Sequence, residues 1–220
     1  MLSCDMRPSR KNRSPAEAAL DPALRARLHA LIDEGAEIYD RFDREVRDQN
    51  WHPFVPGDYG GILQTLLEFR APEGGLRFLE WGSATGVVVV MADLLGFQAY
   101  GIELDAGLVA IARGLAERYE SRAKFVAGSF LPTGYRWRPK TGDGRLGTIG
   151  QGVSAYAELG HGLDDFDLVY AYPWSGEEAM MLDLMRAYGN SKARLLLHGD
   201  HGVNVYADGR LVSAASEPAT

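Results

Sequence analysis

Apolar positions along the chain change period several times, and each change marks an element. From Ser14 the run "SPAEAALDPALRARLHALIDEGAEIYDRFDREVRDQ" spaces Leu24, Leu28, Leu31 and Ile32, then Ile38, Phe42 and Val46, three or four residues apart. That is the stripe of an amphipathic helix packed on a core. Ser14 reads as an N-cap, with Pro15 at the first helical position and Glu17 three residues after the cap. Asp21-Pro22 offers a second start of the same kind, and Gly35 is a candidate interruption. "NWHPFVPGDYGG" then breaks the pattern, "ILQTLLEF" resumes a helix, and "RAPEGG" ends it with turn chemistry.

Beyond this point strand and helix signals alternate. "LRFLEW" predicts a strand. The valines of "VVVVMADLLG" favour a second strand locally, because they are β-branched. Two strands so close in sequence would have to form a hairpin, and "FQAYGIEL" is a better second strand, so 86–95 is predicted as a buried helix. "AGLVAIARGLAERY" follows as a helix with Leu108, Ile111, Ala112, Leu115 and Tyr119 on one side, and "AKFVAG" as a third strand. After a polar, glycine-rich stretch at 131–163 come strand "FDLVYA", helix "GEEAMMLDLMRAYG" and strand "ARLLLHG". "GVNVYADGRLVSA" reads as two short strands joined at Asp208-Gly209.

This rhythm predicts an α/β fold: a doubly wound, mainly parallel Rossmann-like sheet with helices on both faces, a C-terminal β-hairpin and a helical N-terminal extension. Three segments are expected. Residues 1–14 form a basic, solvated tail, 15–72 a helical extension, and 73–220 the core with a long inserted loop at 131–163, whose length suits a lid.

Composition narrows the function. The chain has 220 residues, 46% of them hydrophobic, which is enough for one sizeable core. Its formal charge of -7 disfavours a general nucleic-acid binder. One cysteine, Cys4, excludes an intrachain disulfide and fits a reducing compartment. The longest apolar run, "GVVVVMADLLG", is short and contains Asp93, so no membrane span is expected. The N-terminal positive charges lack an apolar stretch behind them, and the cytoplasm is the expected location.

The candidate chemistry begins in "FLEWGSATG", Phe78 to Gly86: a strand running into a glycine-bracketed turn, with a carboxylate two residues before the first glycine. In a dinucleotide fold, a G-x-G-x-x-G turn sets a pyrophosphate on the next helix's N-terminus. Here Ala84 replaces the second glycine, and Glu80 would repel a phosphate in a partly dry site. A phosphate-free nucleoside carrying an ammonium and a sulfonium suits the pattern better.

The segment resembles motif I of the class I S-adenosylmethionine-dependent methyltransferases: an acidic residue, any residue, Gly, three residues, Gly. The resemblance, which covers about Leu76 to Gly199, implies S-adenosyl-L-methionine as cofactor. It implies Glu80 near the methionine moiety, Gly82 and Gly86 at close backbone approaches, and Ser83 and Ala84 lining the loop. In "AYGIELD", Glu103 stands where Rossmann-like folds hold a ribose through a carboxylate. "FVAGSF" resembles the adenine-contact segment, which implicates Ser129 and Phe130. Leu104 and Ala171 complete the implied cofactor-binding set, with Tyr59 folding over the methionine end.

"DLVYAYPW" occupies the place of the family's motif IV. Only Pro173 and Trp174 match the pattern of members that methylate planar nitrogens, and Ala171 cannot hydrogen-bond a target nitrogen. Tyr172 is a candidate catalytic residue that orients a nucleophile, and with Trp174 a candidate substrate contact; both also fit an aromatic lid. His198 ends the fifth strand as a candidate base, although a histidine there also fits a structural role. "HGDHG" is too tight for His198, Asp200 and His201 to converge from a regular strand, so no metal is expected. Arg136, Arg138, Lys140 and Arg145 fit an acidic partner or a solvated loop.

The resulting expectation is a methyltransferase working by in-line displacement, with a small-molecule acceptor favoured over a protein and nucleic acid last. Two alternatives stay open: an NAD(P)-dependent Rossmann oxidoreductase, and a non-catalytic cofactor-binding subunit.

Overall fold

A computed structural model describes residues 14–46, 56–71, 73–136, 152–174 and 176–213. The tail before Ser14, and the basic residues Arg138, Lys140 and Arg145, lie outside the described residues.

Ser14 caps a short helix, α1 (Pro15–Ala18), by accepting a hydrogen bond from the Glu17 amide. The Asp21-Pro22 start opens the long helix α2 (Pro22–Val46), where Asp21 Oδ1 accepts from the Ala23 and Leu24 amides. Helix α3 (Tyr59–Phe69) begins earlier than the sequence pattern suggested. Asp58 caps it through the Gly61 amide, and this bond holds the two glycines in the first turn. Buried Glu17 ties the three helices together by accepting from Gln64 Nε2 of α3 at 2.7 Å and meeting His29 Nε2 of α2 at 2.7 Å.

The strands among the described residues are β1 (Arg77–Trp81), β2 (Gln98–Glu103), β3 (Lys124–Ala127), β4 (Leu168–Ala171), β5 (Arg194–Gly199), β6 (Gly202–Ala207) and β7 (Arg210–Ser213). They form one sheet in the order β3-β2-β1-β4-β5-β6-β7. The first five run parallel, and β6 and β7 complete the sheet antiparallel. The hairpin turns through Asp208 and Gly209, both with positive φ (50° and 68°), as a two-residue primed turn demands. The fold is Rossmann-like.

Right-handed crossovers explain the layers. Helices α4 (Val87–Leu94) and α5 (Ala106–Arg118) carry the chain outward from β1 to β3 and share one face with α2 and α3. Helix α7 (Glu178–Tyr188) connects β4 to β5 in the opposite direction and lies on the other face. Alternation along β1 serves both layers: Phe78 joins the first core, Leu79 and Trp81 the second. The valine-rich run is helical, as expected, and Val87 to Ala92 are all buried.

Gly35 does not interrupt α2. A Cβ there would lie 2.8 Å from Val87 Cγ2 and 3.2 Å from the Tyr59 ring, so the glycine permits α2 to approach α4 and α3. The described C-terminal part of the 131–163 stretch, from residue 152, carries local structure. Ser154 bridges to Ser129 beside β3, followed by helix α6 (Tyr156–Leu159) and a 3₁₀ turn (Leu163–Asp165). The Trp81 indole donates to the buried Tyr156 hydroxyl at 2.9 Å, pinning this segment beneath β1. Among the described residues, no helix is long and apolar enough to cross a membrane.

Candidate cofactor and acceptor site

Strand order reverses between β1 and β4, and the sheet opens there at the strands' carboxyl ends. Three alternate residues after β1, Gly82, Ala84 and Gly86, have positive φ (70°, 44° and 80°). The two glycines do different work. A Cβ on Gly86 would lie 2.7 Å from Ala112 Cβ and from the Phe125 ring, so this glycine seats the loop on the core. A Cβ on Gly82 would meet nothing within 4 Å, so its α-carbon faces open space.

The loop amides are largely spent. Gly82 and Ser83 donate to the Ile102 carbonyl, Gly86 donates to Ser83, and Ala84 donates to Glu103 Oε2 at 2.9 Å. A bridging diphosphate needs a row of free amides, and four of these five are already engaged.

Glu80 is buried at the end of β1, with 7% of its surface exposed. The Val89 amide in the first turn of α4 is a hydrogen-bond donor to its carboxylate, but Oε2 has no partner. Burial first, and the nearby Glu103 charge second, push its pKa well above the ordinary value. The Glu103 charge therefore reaches Glu80. Glu103 Oε1 accepts from the Asp105 amide at 3.0 Å, so each oxygen holds one backbone donor and keeps further acceptor capacity for a diol. Ser83 Oγ is also buried without a partner.

Toward β4 and β5 the same face carries an aromatic cluster. Tyr170 stands directly opposite Glu80 in the β1–β4 register. Its phenol and His198 Nδ1 are 3.3 Å apart. The Tyr172 ring meets the His198 ring edge-on at 4.7 Å. Tyr59, from the first turn of α3, is buried, with the Thr85 hydroxyl as hydrogen-bond partner and the Glu80 charge acting on it. Burial, then the Glu80 charge, holds the Tyr170 phenol well above its ordinary pKa, so it stays protonated. Burial pushes the His198 pKa down, while Asp58 opposes that shift, so the imidazole is neutral at pH 7.

The candidates divide accordingly. Tyr59, Glu80, Ser83 and His198 are buried, Tyr172 is exposed by 43%, and half-exposed Leu104 lies against Gly152. Trp174 is exposed by 42%, and its amide is fixed by buried Glu177 at 3.0 Å. Ala171 is fully buried among the residues of the opposite core. Phe130 packs there too, stacked on Trp81 with centroids 5.2 Å apart. Ser129 is buried; its hydroxyl accepts from Leu131, and its amide donates to Val153. The sequence reading missed Asp58, Thr85 and Tyr170. Only the period-two spacing of Tyr170 and Tyr172 at a strand end hinted that both share a face.

No protein-family model matches the chain, and no curated protein does. Among solved structures, it is similar to a precorrin-6y methyltransferase from Geobacter metallireducens, at 14% identity and a TM-score of 0.43. That match covers 67% of this chain and 65% of the other, just under two thirds of that protein's length. An RNA methyltransferase from Salinibacter ruber, in complex with S-adenosyl-L-homocysteine, matches at 14% identity and a TM-score of 0.42, covering 66% of this chain and 76% of the other. A SAM-dependent methyltransferase from Thiobacillus denitrificans, in the same kind of complex, matches at 20% identity and a TM-score of 0.42, over 73% of this chain and 54% of the other. Likenesses this distant carry nothing about substrate.

Proposed function

We propose that this chain is an S-adenosyl-L-methionine-dependent methyltransferase acting on a small-molecule acceptor. The observation that carries the reading is the buried, unpartnered Glu80 Oε2 beside a glycine that faces open space. A buried carboxylate oxygen without a donor is costly, and an incoming ammonium supplies both the charge and the hydrogen bond.

When bound, the cofactor supplies an already activated methyl group on a sulfonium. The chain's residues then bind and orient. Glu80 takes the ammonium, Glu103 accepts from the ribose hydroxyls, and Tyr59 with Thr85 closes the methionine end. Leu104 borders the nucleoside at the rim. Ser129 and Phe130 support that side from beneath, and Ala171 acts through its backbone. Tyr172 and Trp174 flank the acceptor, and the neutral His198 ring accepts the proton that a hydroxyl or amine acceptor must lose. The net negative charge supports a small acceptor over a nucleic acid.

Calorimetric titration tests the reading. Saturable binding of S-adenosylhomocysteine, with none of NAD, is expected; the reverse selectivity would overturn it. Transfer of labelled methyl groups to a panel of small amines and phenols then separates an enzyme from a non-catalytic cofactor-binding subunit.

A further inference from the structure

Trp174, the exposed aromatic on the acceptor side, is held at both its amide and its carbonyl. The amide donates to Glu177 Oε2 at 3.0 Å, and the carbonyl accepts from the Glu177 amide at 2.9 Å. Between the two residues Gly176 takes a positive φ of 93°, a conformation that glycine adopts without strain. Pro173, just before Trp174, has its own φ set by the ring. A fixed backbone thus carries an indole that is 42% exposed.

Glu177 opens α7, but its carboxyl does not serve that helix. As N-cap it makes no side-chain bond to the first-turn amides, where a capping side chain ordinarily goes. It is buried, 6% exposed, and turns back three residues to Trp174. Burial pushes its pKa up, a cost that a serine or aspartate cap turned toward the helix would avoid. The next residue, Glu178, accepts from the Tyr206 hydroxyl of β6 at 2.5 Å and ties the start of α7 to the sheet. The loop after β4 is therefore clamped to a helix end that is itself anchored.

We propose that Glu177 is a positioning residue for the acceptor: it fixes the Trp174 backbone so that the indole presents a preorganised face to a planar acceptor, which the Glu177 carboxyl does not itself touch. The inference rests on the acceptor-side role given to Trp174 above. An indole free to swing must be ordered when the acceptor arrives, and that ordering subtracts from affinity. A clamp on its backbone meets the cost during folding instead.

Fluorine NMR on the full chain, labelled with 5-fluorotryptophan and saturated with S-adenosylhomocysteine, tests this. Benzylamine is the planar probe and cyclohexylmethylamine its non-planar counterpart. The Trp174 signal is the one missing from Trp174→Phe. Benzylamine should shift it saturably, and cyclohexylmethylamine should not. Glu177→Ala should weaken benzylamine binding about tenfold, the scale of a lost cation–π contact. Glu177→Gln, whose amide oxygen can still accept from Trp174, should restore most of that loss. Gly176→Ala strains the same closure while keeping the carboxyl, and should weaken binding too. Tyr156→Phe, which costs stability elsewhere in the fold, should leave benzylamine binding unchanged. Unaltered benzylamine affinity in folded Glu177→Ala and Gly176→Ala, equal weakening in Tyr156→Phe, or no benzylamine response in the loaded parent would overturn the positioning role alone. A folded parent that takes up no S-adenosylhomocysteine would overturn the cofactor reading and this inference with it.

Discussion

Glu80 and Tyr170 face each other across β1 and β4, and the phenol of Tyr170 hydrogen-bonds with His198 at 3.3 Å. Three strands from distant parts of the chain thus contribute a carboxyl, a phenol and an imidazole to the same face, His198 lying two residues beyond Leu196, the β5 partner of Tyr170.

Replacing Glu80 with glutamine removes a charge without changing shape. Affinity for S-adenosylhomocysteine should fall about tenfold to a hundredfold, the effect of about 1.5–3 kcal/mol in a charge-assisted bond. Calorimetry with the variant and the parent reads this directly.

The same residue makes stability fall with rising pH in the ligand-free protein. The folded pKa lies well above the reference 4.5, so between the two values the native state binds more protons than the unfolded state. Stability is then fully present below about 4.5 and declines toward the folded pKa, by up to about 1.4 kcal/mol per pH unit. Urea denaturation across this range should show the slope, and Glu80→Gln should remove it.

His198 gives the opposite sign. Its folded pKa is below the reference 6.5, so its contribution is present above that value and is lost as pH falls through the folded pKa. With an acceptor that must lose a proton, His198→Gln should lower kcat by about a hundredfold or more. It should also erase the acidic limb of the pH–rate profile.

The two motif glycines should separate folding from binding. Gly86→Ala forces a methyl group 2.7 Å from Ala112 and Phe125 at a positive φ, a loss of about 2–5 kcal/mol in chemical denaturation. Gly82→Ala has only the backbone strain, about 1–2 kcal/mol, but points a methyl group into the opening and should weaken cofactor binding.

Tyr156→Phe should leave the buried Trp81 indole N–H without an acceptor, at about 1–3 kcal/mol in unfolding free energy. A double-mutant cycle with Trp81→Phe should recover part of that loss, because both partners are then apolar.

Much of this architecture was legible in the chain. Periods of two and of three to four residues located every described strand and the main helices, and local chemistry placed the Ser14 cap, the Asp208-Gly209 turn and the bracketing glycines after Glu80. These are short-range matters of backbone sterics and side-chain alternation. Gly35 misled because a lone glycine signals a break locally, whereas its reason is the approach of α4 and Tyr59. The side chains of Ala171 and Phe130 pack in the second core, a placement set by alternation along β4 and by stacking on Trp81 that motif position alone does not give.

The sequence by itself determined the order of elements and the negative charge at the first crossover, since both depend on neighbouring residues. Only the tertiary structure decided what that charge meets. Asp58, Glu80, Tyr170 and His198 come together through strand register and the docking of α3, and contacts between residues so far apart leave no periodic trace in the chain.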